Sequence, residues 1–233
     1  MVPSAQPAPG APENDALSVR IVAGLFFASA LMVPLGMWLR PVQLQWWDFT
    51  HFAPISAAMD AWIWSFRILV FGLFLRVGAL AALNALPWAS TVRPLLSAGV
   101  TICTFGLLVS ALGQGYYMDT GCWGSWAATQ KATPEAQAAL VDTLLPVNAW
   151  GECLLRMGSV FFSLGALFLA AGWHRAQVLV AWLAPLTAVL GVVGIVTGMF
   201  LPNEVAVSLG VGVAQSAWSL AVGVVVAKGL LAR

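Results

Sequence analysis

Charge is what this sequence has least of. Only 8% of its 233 residues are Asp, Glu, Lys or Arg, against about a quarter in a soluble domain, and 61% are hydrophobic. A water-facing surface cannot be built from that supply. The ten basic residues are dispersed and the formal net charge is +1, so no basic stripe is present to follow a phosphate backbone, which speaks against nucleic acid as a partner. Histidine is scarcer still. His51 and His174 are the only two, and they are expected on opposite faces of a membrane, where they cannot jointly grip a haem or build a multi-histidine metal centre. No metal and no cofactor is expected. Neither histidine has an acid at a helical spacing that would build a triad, and the glycines lie in apolar runs outside any strand-to-helix turn of the dinucleotide-binding kind.

What the sequence does have is long apolar runs. A helix needs about 20 apolar residues to cross some 30 Å of hydrocarbon, and six such stretches are present, at about 18–39, 56–83, 94–112, 146–171, 178–200 and 204–227. The reading is an all-α polytopic membrane protein, a bundle of six transmembrane helices in one domain. Residues 1–17 are rich in Pro and Ala and contain no Lys or Arg, which reads as a disordered cytoplasmic tail rather than the basic start of a signal peptide. Ala28-Ser29-Ala30 has the form of a cleavage motif, but the apolar run continues to Trp38, so the first helix is expected to be retained. Between the third and fourth spans, residues 113–145 read as an ordered external loop rich in Gly and aromatics. Within it Thr133-Pro134-Glu135 has the form of a helix start, with Thr as N-cap and Pro at the first helical position, and a short interfacial helix is expected to end near Leu144.

Lys and Arg are retained preferentially on the cytoplasmic side. With the N-terminus inside, Arg20, Arg76, Arg93, Arg175, Lys228 and Arg233 fall on that side, leaving Arg40 and Lys131 in external segments. Both termini are then cytoplasmic, and the protein is placed in the cell membrane. Trp38, Trp46, Trp47, Trp62, Trp64, Trp123, Trp126 and Trp150 gather towards the outer surface, as an interfacial aromatic belt would.

The charges inside the spans are the strongest local signal. Arg67 and Arg156 each lie roughly 15 Å beyond their expected helix starts at 1.5 Å per residue, and an arginine near the centre of a span costs at least about 2.5 kcal/mol unless it faces protein or water. Glu152 precedes Arg156 by four residues on one face, the favourable order for an ion pair; Asp60 and Arg67 share a face two turns apart. With Asn148 and Gln114 at the outer edge, these residues read as one polar network, either a clamp between helices or a pocket for a polar or anionic head group.

Cys122 and Cys153 both belong to the external half, so a disulfide joining them would pin the loop to the fourth span; Cys103 reads as a small buried side chain. Gly191, Gly194 and Gly198 in the fifth span, and Ser208, Gly212 and Ser216 in the sixth, are spaced to let helices approach closely, so these two spans are expected to pack along their length as a hairpin through the 201–204 turn. Three functional readings follow. The leading one is an accessory or regulatory membrane subunit, partnered by membrane lipids and other membrane subunits. The alternatives are a small lipid- or solute-handling protein with an outer-leaflet pocket, and a membrane enzyme with Glu152 or Asp60 as a proton-transfer group.

Overall fold

A computed structural model describes residues 12–41, 52–86, 88–129, 133–178, 180–201 and 205–230. Outside them lie residues 1–11, the segment containing Trp46, Trp47, Asp48 and His51, Lys131, and residues 202–204 with Glu204, where a turn is expected. The described residues form seven helices: α1 (Pro12–Trp38), α2 (Phe52–Ala57), α3 (Met59–Asn84), α4 (Arg93–Thr129), α5 (Pro134–Arg175), α6 (Leu183–Phe200) and α7 (Val205–Ala227). All but α2 are long and apolar enough to cross a membrane. The bundle is a six-helix one.

Its spine is the antiparallel pair α4 and α5, whose contact depends on glycines repeating every seven residues: Gly99, Gly106 and Gly113 on α4, and Gly151, Gly158, Gly165 and Gly172 on α5. A Cβ on Gly99 would lie 2.9 Å from the Gly165 carbonyl oxygen, one on Gly106 2.6 Å from that of Gly158, and one on Gly113 3.0 Å from that of Gly151. The two backbones therefore touch at three successive levels. A strict seven-residue repeat imposes a left-handed wrap, which keeps this seam closed along the pair.

The residues expected to form an external loop continue these helices. Gly113 and Gly121 do not break α4: Gly113 is where α5 approaches, and Gly121 is where the Trp62 ring of α3 lies, its indole N–H donating to the Met118 carbonyl at 3.1 Å. Thr133 caps α5, its Oγ1 accepting from the Ala136 N–H at 3.3 Å, but the helix does not stop near Leu144 and runs through Pro146 to Arg175. Likewise α1 begins at Pro12, within the stretch read as a disordered tail. At 1.5 Å per residue α4 and α5 measure about 55 and 63 Å, far more than the roughly 30 Å of hydrocarbon. Their distal parts carry α2 and the start of α3 as far as Gly121 and Cys122 of α4, and pair with each other at the tip through Ala127, Leu140 and Leu144.

The hairpin expected of the last two spans is not made. α6 and α7 touch sparingly, because each small-residue stripe meets a ridge elsewhere: Gly191, Gly194 and Gly198 pack on Leu167, Ser163 and Val160 of α5, while Gly212 and Gly223 of α7 pack on Met37 and Phe27 of α1. A stripe of small residues permits close approach without choosing the partner. The core closes around Trp218 of α7, which lies edge-on to Phe26 and Phe162 (centroids 6.1 and 5.6 Å), stacks on Trp173 (6.3 Å) and donates to Thr187 Oγ1 of α6 at 2.8 Å.

Register also decides the cysteines. Since Gly113 faces Gly151 and Gly106 faces Gly158, Cys153 lies level with the residues near 111, about 11 positions or roughly 16 Å from Cys122 along the axis. A disulfide needs Cα atoms within about 7 Å. The expected bridge is not formed: Cys122 is a half-buried free thiol and Cys153 an exposed one. Both thiols are expected to alkylate fully in unreduced membranes, and a Cys122–Cys153 peptide in a non-reducing map would contradict this register.

Candidate functional site

Among the described residues, arginine-centred groups of polar side chains lie inside the bundle at two depths. The first forms where α1 ends against α3, α4 and α5, near the base of the tip. Arg40, two residues past α1, folds back so that its guanidinium carbon stands 4.1 Å from the Phe66 ring centroid and its Nη2 donates to Gln114 Oε1 at 2.6 Å. Beside it, Gly151 leaves room for the Tyr117 ring, whose hydroxyl donates to the Glu152 carboxylate, with Arg40 and Arg156 close enough to act on it electrostatically. Asn148 Nδ2 donates to Glu152 Oε1 at 3.4 Å. Arg156 donates to the Leu201 carbonyl at the end of α6, at 2.9 Å.

Of the residues named from sequence, Gln114, Asn148, Glu152 and Arg156 come together here, and Asp60 and Arg67 do not. Both of the latter are exposed, and the Arg67 guanidinium lies 5.2 Å from the Trp64 ring centroid. Among the described residues the two expected ion pairs are not formed. Arg156 is turned to a helix end, and Glu152 is taken up by Tyr117 and Asn148. Sequence reasoning missed Arg40 and Tyr117. Arg40 had the look of an ordinary loop arginine, and nothing local marks a contact with a residue 74 positions away.

Two atoms of this group have no partner: Arg40 Nε, a donor, and Asn148 Oδ1, an acceptor. Asn148 is 4% exposed. A buried polar atom left unpaired costs about 1–3 kcal/mol, and more next to a charge. Such atoms call for a ligand or water.

Depth places the group. Gln114 stands about 21 residues beyond Arg93 and Glu152 about 23 residues before Arg175, roughly 32 and 34 Å from those ends, so a hydrocarbon slab of about 30 Å starting there stops just short of them. A slab that starts at those ends would put the group at head-group depth. By the same measure Arg156, about 19 residues or roughly 28 Å before Arg175, and Arg67, about 17 residues or roughly 26 Å before Asn84, stand near that boundary rather than mid-span.

The mid-depth arginine is Arg76. Sequence reasoning placed it at the inner surface, but it sits about 8 residues or roughly 12 Å before the end of α3 and is fully buried. Its Nε donates to Ser29 Oγ of α1 at 3.1 Å, and Nη1 and Nη2 donate to Gln215 Oε1 and Ser216 Oγ of α7, both at 3.4 Å. All three acceptors are neutral. The signal was the uninterrupted apolar sequence on both sides of it, LVFGLFL and VGALAAL.

At the tip, Trp123 and Trp126 of α4 and Ala136, Ala139, Leu140 and Thr143 of α5 line an apolar cavity of about 420 Å³. Among the described residues no group of His, Cys, Asp and Glu is arranged to hold a metal ion. No protein-family model, curated protein or solved structure matches this chain.

Proposed function

We propose that this chain is a small lipid- or solute-binding membrane protein that takes a polar head group between α1, α4 and α5. The single observation that supports it is the pair of buried, unpartnered atoms, Arg40 Nε and Asn148 Oδ1, in one cluster at about head-group depth. Two arginines against one carboxylate leave the cluster with a positive excess, which favours an anionic group on the ligand. We place both termini on the cytoplasmic side of the cell membrane, so that the site opens to the outer leaflet. Arg20, Arg93, Arg175, Lys228 and Arg233 support that orientation, with Arg76 removed from the count.

Phospholipid retained by the purified protein, measured by native mass spectrometry, tests the binding. Arg40→Gln is expected to lower it severalfold, while Arg67→Gln, on the exposed face, leaves it unchanged. Equal retention in the two variants would contradict the site. Glu152→Gln separates binding from clamping. The Gln carbonyl can still accept from Tyr117, so stability read from a thermal melt is expected to fall by no more than about 1 kcal/mol, the worth of one hydrogen bond, whereas a broken buried ion pair would cost about 3–5 kcal/mol.

The accessory-subunit reading has its own support in the apolar cavity between Trp123 and Trp126 at the tip, beyond the hydrocarbon, where a partner subunit would cover it. A stoichiometric chain co-purifying with the wild type and lost on Trp123→Ser/Trp126→Ser would favour that reading.

A further inference from the structure

The unpartnered atoms are of opposite kind, and that narrows what the head group is. Arg40 Nε is an N–H that asks for an acceptor; Asn148 Oδ1 is an acceptor that asks for a donor. They belong to one cluster: Arg40 bonds Gln114 of α4, Asn148 bonds Glu152 of α5, and both Arg40 and Glu152 act on Tyr117. A simple anion such as a carboxylate or inorganic sulfate would meet the first demand and leave the second unmet.

Resting on the head-group reading above, we infer that the ligand is a phosphodiester lipid whose free end carries its own N–H or O–H donor: a primary ammonium, as in phosphatidylethanolamine, or glycerol hydroxyls, as in phosphatidylglycerol. The phosphate oxygens accept from Arg40 Nε, a charge-assisted bond of the kind arginine makes well with phosphate. The donor at the far end reaches Asn148 Oδ1 and the Glu152 carboxylate beside it. A phosphocholine head group fits only half of this, because its quaternary ammonium has no N–H. It leaves Asn148 Oδ1 buried and unpaired, and sites with buried polar groups discriminate against ligands that leave those groups unpaired. Depth agrees with the assignment. A phosphodiester at about 32 Å from the Arg93 end sits where its acyl chains enter the hydrocarbon alongside the bundle.

The experiment uses the full chain, delipidated in detergent and offered equimolar phosphatidylethanolamine, phosphatidylglycerol and phosphatidylcholine with identical acyl chains. Bound lipid is read by native mass spectrometry and lipid-dependent thermal stabilisation. The wild type is expected to retain the ethanolamine or glycerol lipid about tenfold over the choline lipid, the scale of one hydrogen bond to a charged group. Preference for the first names the donor as ammonium, and preference for the second names it as hydroxyl; both support the inference. Asn148→Leu is expected to narrow the preference over the choline lipid severalfold, the Glu152 carboxylate keeping the remainder, while retaining binding through Arg40. Retention of the choline lipid equal to the others in the wild type would overturn the donor requirement and leave head-group binding standing. Retention of none, with Arg40→Gln indistinguishable from wild type, would overturn both. The wild-type competition stands even if the Asn148 variant does not fold.

Discussion

Gly106→Leu is expected to prevent the bundle from forming. Even the first carbon of a side chain at this position would lie 2.6 Å from the Gly158 carbonyl oxygen and overlap the backbone of Phe162, and backbone cannot turn aside as a side-chain tip can. The α4–α5 seam would have to open along its length, since Gly99 and Gly113 close it on either side. Overpacking a tight core costs about 1–3 kcal/mol and sometimes more. Gly106→Ala should reach the top of that range, and Gly106→Leu should yield little folded, monodisperse protein. Gly115, in the same helix, has nothing within 4 Å of its would-be Cβ. Gly115→Ala is therefore expected to be neutral or to stabilise by up to about 1 kcal/mol through helix propensity. Thermal melts in one detergent check all three. A Gly106→Leu protein that melts with the wild type would contradict the glycine seam.

Trp218→Ala should be the next most damaging change. Its indole is 2% exposed and ties four helices together through Phe26, Phe162, Trp173 and Thr187. It also makes the link from α7 to α6, two helices that otherwise touch sparingly. Truncating a buried aromatic to alanine costs about 3–5 kcal/mol, and α7 should loosen from α6 first. Trp218→Phe keeps an aromatic ring and forfeits the bond to Thr187, a loss of about 1 kcal/mol. Trp150 is 66% exposed, so Trp150→Ala should melt within a degree or two of wild type. Equal melting temperatures for the Trp218 and Trp150 alanine variants would contradict this core.

The six spans were legible in the sequence because hydrocarbon length and apolar content set them directly, and the cap at Thr133 because its chemistry is local. What misled was any feature whose meaning depends on a second helix. Gly113, Gly121, Tyr116 and Tyr117 read as loop residues, yet they are where another helix comes close enough to touch backbone or where a ring fills the gap. The seven-residue spacing of Gly151, Gly158, Gly165 and Gly172 was there to be read. Taken with Gly99, Gly106 and Gly113, it would have fixed the α4–α5 register, extended both helices and separated Cys122 from Cys153. For α6 and α7, adjacency in the chain suggested a hairpin that packing did not make. Arg76 shows the converse. A charge within two turns of a span end reads as an orientation signal; the apolar runs on both sides of it pointed inward, and the hydroxyls and the amide of α1 and α7 show what receives it there. At the candidate site, the half carried on α5 could be found by spacing along one helix, while Arg40 and Tyr117 reach it from elements whose approach no local pattern records.

The head-group site is tested most directly by a crystal structure grown from a lipid mesophase doped with phosphatidylethanolamine. The predicted result is density for a phosphate against Arg40 Nε and for the ethanolamine nitrogen against Asn148 Oδ1 and Glu152. A cluster closed on itself, with Arg40 Nε and Asn148 Oδ1 bonded only to protein atoms or ordered water while lipid lies elsewhere on the bundle, would contradict it.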